Sequence, residues 1–218
     1  MKKIKAFLVI GLLVVLSGLA GASSNYGPKN NIAFPEVRNF SKGSAYASAN
    51  KQTGRINLAA FGSGTAGADV AEVYFKLIPI GLTADKKIRV KVTYDAPEYM
   101  RMGANVTALP GTGANLFYPN LVIKVYNLVG TLVDSHDYGI GTGPVADVRG
   151  YLAPGLNHEV TYITKTLPGG GGYYVHIGFK WAAGSESAAW AYGGTSSNRN
   201  DSERTGFGIY NVSWDLTN

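Results

Sequence analysis

The stretch that decides the fold is YYVHIGFKW, residues 173–181. Apolar side chains occupy every second position, and the residues between them include a histidine, a glycine and a lysine. Successive side chains of a β-strand point to opposite faces of a sheet, so this alternation predicts a strand with one buried face. Gly178, in the middle of the run, indicates either a bulge or the close approach of a neighbouring backbone.

Working outward, KIRVKVTY (residues 87–94) and GIYNVSWDL (residues 208–216) alternate in the same way. Shorter apolar alternations occur at residues 44–50, 55–58, 73–77, 121–126 and 159–165. No 12-residue stretch beyond the first 22 residues has helical periodicity with caps, and glycine, proline and asparagine separate the strand signals. The pattern predicts an all-β domain, a jelly-roll or immunoglobulin-like β-sandwich.

The composition excludes several classes of protein. The chain has 218 residues, of which 45% are hydrophobic and 16% charged, so it is not a disordered chain. It contains no cysteine, which excludes disulfide scaffolds, thiol nucleophiles and cysteine-ligated zinc. With three histidines in the whole chain, little material remains for a multi-histidine metal site, and neither metal nor cofactor is expected.

Residues 1–22 have the composition of a secretory signal. Three lysines precede an uninterrupted apolar run at residues 6–16, and Ala20 and Ala22 stand where a signal peptidase reads small residues. We expect cleavage near Ala22 and an extracellular location. A type IV pilin-like leader, cut near Lys5, is the alternative. Cleavage at Ala22 removes three lysines, so the net charge falls from +6 to 6 − 3 = +3. The remaining lysines and arginines do not cluster, so nucleic acid is not an expected partner.

An apolar segment at residues 31–40, interrupted by Pro35, follows a flexible polar stretch. Proline within a strand signal indicates an edge strand or an extended arm. We therefore divide the chain into a signal (1–22), an N-terminal extension or donor arm (23–43) and a β-sandwich domain (44–218). The candidate contact residues of the arm are Ile32, Ala33, Phe34, Val37 and Phe40.

This arm has two alternative partners. It pairs either with its own domain or with the open sheet of another subunit. Pairing with another subunit, repeated head to tail, builds a filament. The candidate residues for the core, or for the groove that accepts an arm, are Val175, Ile177, Phe179, Tyr210, Val212 and Trp214.

Within the predicted domain, AYASA (residues 45–49) leads into TGRINL (residues 53–58). This small-residue strand, glycine and alternating strand, together with the leader and arm, resembles the secreted filament subunits of archaeal bundling pili and threads. It also resembles the related bacterial biofilm-matrix fibre protein. The resemblance implies a structural subunit that polymerises by donor-strand complementation. Its partners would be other copies of itself and laterally bundled filaments in cell adhesion or biofilm, and it would perform no catalysis.

Two other functions compete with the filament. A carbohydrate-binding module would use exposed aromatic residues to stack on sugar rings, and the candidates are Tyr173, Trp181, Trp190 and Tyr192. A secreted hydrolase would need two carboxylates facing each other across a cleft at about 5–10 Å. The 14 acidic residues are scattered along the chain, so no pair is indicated and the chain is not expected to be an enzyme.

Four N-x-S/T sequons, at Asn39, Asn105, Asn200 and Asn211, are candidate glycosylation sites in a secreted protein. The loop SNRNDSE (residues 197–203) places oxygen ligands at alternate positions from Asn198 to Glu203, which suits either calcium or a solvated loop. In DSHD (residues 134–137) the carboxylates flank a histidine, and a polar hairpin end is the simpler interpretation.

Overall fold

The computed structural model describes residues 24–63, 68–95, 100–106, 114–117, 120–139, 144–146, 149–152, 158–185, 189–195 and 207–218. Apart from a short 3₁₀ helix at Pro28–Asn30, the regular structure of these residues is β-strand. No helix in this part of the chain has the length and apolar character needed to cross a bilayer. The predicted leader at residues 1–22 lies outside the described residues.

The strands, in chain order, are β1 Ser24–Tyr26, β2 Glu36–Lys42, β3 Ser44–Ala49, β4 Arg55–Ser63, β5 Ala68–Lys76, β6 Ile80–Gly81, β7 Lys87–Asp95, β8 Met100–Val106, β9 Ala114–Phe117, β10 Asn120–Asn127, β11 Leu132–Gly139, β12 Pro144–Ala146, β13 Arg149–Leu152, β14 His158–Ile163, β15 Gly172–Ser185, β16 Ala189–Thr195 and β17 Phe207–Thr217.

The described strands form two antiparallel sheets. Sheet I runs in the order β13-β8-β16-β4-β17-β7-β14, with β1 beside β17 and β3 beside β4. Sheet II runs in the order β11-β10-β15-β5-β2, and the short strands β6, β9 and β12 extend it. Every pairing among the described strands is antiparallel, so the predicted all-β, jelly-roll-like sandwich is confirmed.

The core lies between the two sheets and is built from alternate residues of their strands. On β15 the predicted buried face, from Tyr173 to Trp181, is at most 5% exposed. Sheet I contributes Phe207, which stacks on Phe179 of sheet II with ring centroids 4.4 Å apart. The sheets are therefore joined by apolar packing, which is the main stabilising interaction in a chain without cysteine.

Residues 24–42, which we call the strap, contact both sheets of their own domain. Strand β1 pairs with β17 of sheet I, and β2 pairs with β5 of sheet II. Between them Phe34 is 1% exposed and stacks on Phe75, with ring centroids 4.0 Å apart. In this single chain the predicted arm thus completes its own sandwich.

A β-bulge in β17 changes the side on which Tyr210 lies. The pairing of β17 with β7 shifts register between Ile209 and Asn211, so Ile209 and Val212 both face the core. Tyr210 is only half-buried, and its ring lies beside Gly208 on the outer side. The strict alternation that assigned Tyr210 to the core was wrong, because a bulge inserts one residue and reverses the order of the faces.

Gly54 holds this bulge in place. It accepts a hydrogen bond from Ile209 N at 2.9 Å and has a φ of +68°, a conformation that favours glycine. A Cβ on Gly54 would lie 2.1 Å from the carbonyl oxygen of Ile209. The loop between β3 and β4 therefore depends on glycine to approach β17.

Candidate functional site

The candidate arm residues do not share one environment. Phe34 is buried, Val37 is partly buried against the core, and Ala33 is exposed. Ile32 and Phe40 are 47% and 55% exposed. The strap is therefore anchored to the sandwich by Phe34, while most of β2 remains accessible.

The candidate core residues, apart from Tyr210, lie in the interior of the sandwich. Val175, Ile177, Phe179 and Val212 are fully buried, and Trp214 is 7% exposed. These residues belong to the chain's own packed core, and no groove among the described residues leaves them open.

The aromatic residues considered for sugar stacking are not on an open surface where the structure describes them. Trp181 is fully buried, and Tyr173 is 5% exposed and donates its hydroxyl to the carbonyl of Pro168 at 2.9 Å. Both point to the core because they lie on the inward face of β15. The backbone of Trp190 and Tyr192 belongs to β16, but their side chains lie outside the described part of the structure.

Two of the four sequons can be placed. Asn39 is exposed on β2, and Asn211 is half-buried with its Oδ1 accepting a hydrogen bond from Asn30 Nδ2 at 2.6 Å. The side chain of Asn105 and all of Asn200 lie outside the described residues, as does the calcium candidate from Asn198 to Glu203.

The outer face of sheet II brings together side chains from three strands. Strand pairing places His176 of β15 opposite Lys76 of β5 and opposite Lys124 of β10. One step along the same strands, Tyr174 lies opposite Tyr126. We call this surface the tyrosine–lysine face; its residues are Glu72, Tyr74, Lys76, Lys124, Tyr126, Tyr174, His176 and Lys180.

Glu72 is the anionic centre of this face. It accepts hydrogen bonds from the Tyr74 hydroxyl and from Lys124 Nζ at 3.1 Å, and Lys180 Nζ lies 3.7 Å from its other oxygen. Burial raises the pKa of Glu72, but these donors and charges outweigh burial and hold it below the ordinary value. Burial and the neighbouring carboxylate raise the pKa of Tyr74.

The bridge from Lys124 to Glu72 crosses the central strand. Lys124 is on β10 and Glu72 is on β5, so the lysine side chain must pass over β15 between them. The register places Gly178 midway along this path, and Gly178 has no side chain to obstruct it. The Lys124 ammonium also lies 4.6 Å from the centre of the Tyr74 ring, a cation–π contact.

His176 is half-buried within this face, although the alternation of β15 predicted a solvent-exposed position. Its ring lies 4.8 Å from that of Tyr126 and 6.2 Å from that of Tyr74. Among the described residues, its Nε2 has no hydrogen-bond partner. Burial, followed by the positive charges of Lys76 and Arg38, lowers the pKa of His176 to about 4; Lys124 acts in the same direction and Glu36 opposes it.

His176 is expected to make the fold less stable in mild acid. Its pKa of about 4 lies below the ordinary 6.5, so in this interval the unfolded chain takes up a proton that the folded chain excludes. The free energy of unfolding is therefore highest above pH 6.5, and this contribution of His176 is lost as the pH falls toward 4. We expect the urea midpoint to fall less between about pH 7 and pH 4.5 in His176→Gln than in the wild type. Equal losses in the two proteins would contradict this assignment.

The arrangement is suited to binding through polar and aromatic contacts. No group of three or more His, Asp or Glu side chains in the described residues is placed to hold a metal ion. The charged groups are paired: Lys76 lies 3.3 Å from Glu36, which also contacts Arg38. Such pairing orders the lysines on rigid strands, which holds their donors in fixed positions.

Comparisons with known proteins give architectural likenesses only. No protein-family model matches the chain, and no curated protein matches it in sequence. Among solved structures it is similar to TmCBM61 in complex with β-1,4-galactotriose, at 12% identity and a TM-score of 0.29, covering 86% of this chain and 98% of the other. It is also similar to a cleaved adhesin domain of Lys-gingipain from Porphyromonas gingivalis, at 12% identity and a TM-score of 0.35, covering 91% and 100%.

A third likeness is to a family 11 carbohydrate-binding module from Clostridium thermocellum in complex with a mixed-linked tetrasaccharide, at 9% identity and a TM-score of 0.30. It covers 88% of this chain and 96% of the other. TM-scores this low carry no information on function, so the function proposed below rests on the residues of this chain.

Sequence reasoning missed the tyrosine–lysine face as a unit. Its three strands are separated by about 50 residues each, and nothing in the sequence indicates that β5, β10 and β15 are neighbours. The usable signal was the polar side of each alternating strand, where tyrosine and lysine recur at Tyr74, Lys124 and Tyr126.

Proposed function

We propose that the chain is an extracellular β-sandwich that binds carbohydrate on the tyrosine–lysine face and performs no catalysis. The observation that carries this proposal is the pair Tyr126 and Tyr174, directly opposite on neighbouring strands, partly exposed and surrounded by ordered charged groups. The extracellular location rests on the secretory signal predicted from the sequence of residues 1–22.

A sugar ring offers both an apolar C–H face and a rim of hydroxyl groups, and the tyrosine–lysine face has groups for each. Tyrosine supplies a rigid apolar ring with a polar tip and loses little side-chain entropy on binding. Lys76, whose ammonium lies 4.1 Å from the centre of the Tyr174 ring, and Glu36 beside it supply a donor and an acceptor.

Tyr174→Ala is expected to weaken glycan binding by at least about tenfold, since it removes a stacking surface from the central strand of the face. The wild-type chain from Ser23 onward would first be screened on an array of neutral and uronic-acid oligosaccharides. The best ligand would then be titrated calorimetrically against the wild type and the variant, with circular dichroism to verify folding.

Tyr46→Ala is the matched control, because Tyr46 is 57% exposed on β3 of the other sheet. It should bind as the wild type does. An equal loss of glycan affinity in Tyr46→Ala and Tyr174→Ala would contradict binding on the tyrosine–lysine face. If the wild type bound no oligosaccharide on the array, the proposed function would be wrong.

A filament subunit is the second candidate, and the strap favours it. Strand β2 is the last strand of sheet II, and β1 pairs with β17 over only three residues. The main apolar anchor of the strap is Phe34, so the segment can be exchanged as a unit between copies. Exchange would leave the contacts unchanged and join subunits head to tail. Electron microscopy of the chain from Ser23 onward tests this: long fibres support it, and a uniform small particle at high concentration contradicts it.

A further inference from the structure

Strand β2 leaves one of its edges unpaired. It forms a regular seven-residue ladder with β5, and among the described residues no strand or backbone hydrogen bond covers its other edge. Residues 38–42 are exposed. An open edge of this length presents a row of free amide and carbonyl groups, which recruit another strand unless they are protected.

On the opposite side of the sandwich the edge strands are protected, in contrast to β2. There β11 and β14 are linked through side chains: Tyr138 donates its hydroxyl to the carbonyl of Thr161 at 3.1 Å. Asp134 Oδ2 accepts a hydrogen bond from the amide of Lys165 at 2.8 Å. Polar residues on the inward face of β11, including Asp134 and His136, add the kind of protection that natural edge strands use.

We propose that two copies of the chain associate through β2, antiparallel across a two-fold axis at Asn39. In this register Glu36 of each copy lies opposite Lys42 of the other copy. Arg38 of each copy likewise lies opposite Phe40 of the other. The side chains of these four residues are on the outer face of sheet II, because they pair with the outward residues of β5 or alternate with them. The interface therefore contains two opposite-charge pairs and two cation–π contacts.

The charges of β2 select this register over its neighbours. A two-fold axis at Arg38 would place two arginines opposite each other, and an axis at Phe40 would place Lys42 opposite Arg38. Like charges directly opposite destabilise a pair of strands. Lys42, which has no ion-pair partner among the described residues, gains one only in the register centred on Asn39.

The result is a closed dimer in which sheet II continues from one copy into the next. The interface is isologous, so it uses both open edges and stops at two subunits. The interface shares Glu36 with the proposed glycan surface, but it uses none of the tyrosines proposed to bind glycan and requires no exchange of the strap. The tests below measure self-association and cross-linking without glycan, so their outcome is separate from that of the glycan titrations.

A single introduced cysteine tests the register, because the chain has no cysteine of its own. In Asn39→Cys the two thiols lie opposite each other, where facing Cα atoms are about 4.5–5.5 Å apart and a disulfide can form. In Ser41→Cys the equivalent atoms are displaced by four residues, about 13 Å along the strands, and cannot be bridged. Both substitutions remove the N-x-S/T sequon at Asn39, so glycan does not complicate the comparison.

After mild oxidation, Asn39→Cys should run as a reducible dimer on a denaturing gel, and Ser41→Cys should remain a monomer. Equal cross-linking in the two variants would indicate random collision and overturn the proposed register. Absence of cross-linking in both would overturn the interface.

Sedimentation equilibrium provides a second test that needs no cysteine. Lys42→Glu should weaken self-association by about tenfold, since it places a second carboxylate opposite Glu36 at both ends of the interface. Lys91→Glu makes the same charge change at an exposed lysine on β7 of sheet I and should have no effect. A wild type that remains monomeric at about millimolar concentration, or equal effects of the two variants, would overturn the proposal.

Discussion

Gly178→Ala is expected to destabilise the fold by about 3 kcal/mol or more, which is a large part of the stability of a domain this size. A Cβ at this position would lie 1.7 Å from the carbonyl oxygen of Val73 and 2.7 Å from the Cα of Tyr74. Both atoms are backbone, so no side chain can rotate away. Because β15 is bonded to β5 on one side and β10 on the other, it cannot shift without breaking a ladder.

Urea unfolding followed by circular dichroism measures this effect, and an insoluble variant would agree with it. Gly130→Asn is the control: the turn glycine has a φ of +89° that asparagine tolerates, and an added Cβ meets no atom within 4 Å. We expect the control substitution to lower the free energy of unfolding by about 1 kcal/mol or less. A Gly178→Ala midpoint equal to that of the control would show that the sheet can absorb the extra atom.

Phe34→Ala is expected to lower the free energy of unfolding by about 3–5 kcal/mol, as for other buried phenylalanines. The ring is 1% exposed, stacks on Phe75 and has Tyr26 6.4 Å away. Its removal would leave a cavity between the sheets and release the strap from the core. The measurement is the urea midpoint, combined with limited proteolysis of residues 24–42, which should become rapid.

Phe40→Ala is the matched control on the same strap, since Phe40 is 55% exposed. Its effect on the monomer should stay within about 0.5 kcal/mol, the usual range for surface positions. Similar losses in the two variants would mean that the strap is not anchored through Phe34.

The two phenylalanines also illustrate the limit of sequence reasoning about the strap. Both were candidate contacts of an apolar arm, and Pro35 correctly indicated that the segment is not a central strand. Whether Phe34 or Phe40 is buried depends on which residues of sheet II lie beside them. That information resides in β5, about 35 residues further along the chain.

Tyr210 shows a second limit. Alternation predicts faces only while pairing remains regular. The bulge in β17 arises in its pairing with β7 and is held by the hydrogen bond to Gly54, so residues outside β17 determine it. Residues after the bulge, such as Val212 and Trp214, have the predicted orientation again. The alternation that holds after the bulge is therefore reversed only up to it, where Ile209 is buried and Tyr210 is half-buried.

The sequence alone determined the all-β class and the buried faces of the long strands, because side-chain alternation is local and the hydrophobic effect acts on each strand separately. Only the tertiary structure decided which strands are neighbours, and therefore that Tyr126, Tyr174 and His176 share one surface while Trp181 lies in the core. It also decided that β2 ends the sheet with an open edge. These features depend on pairings between residues far apart in the chain, and such pairings are selected by the packing of the whole domain rather than by any single stretch.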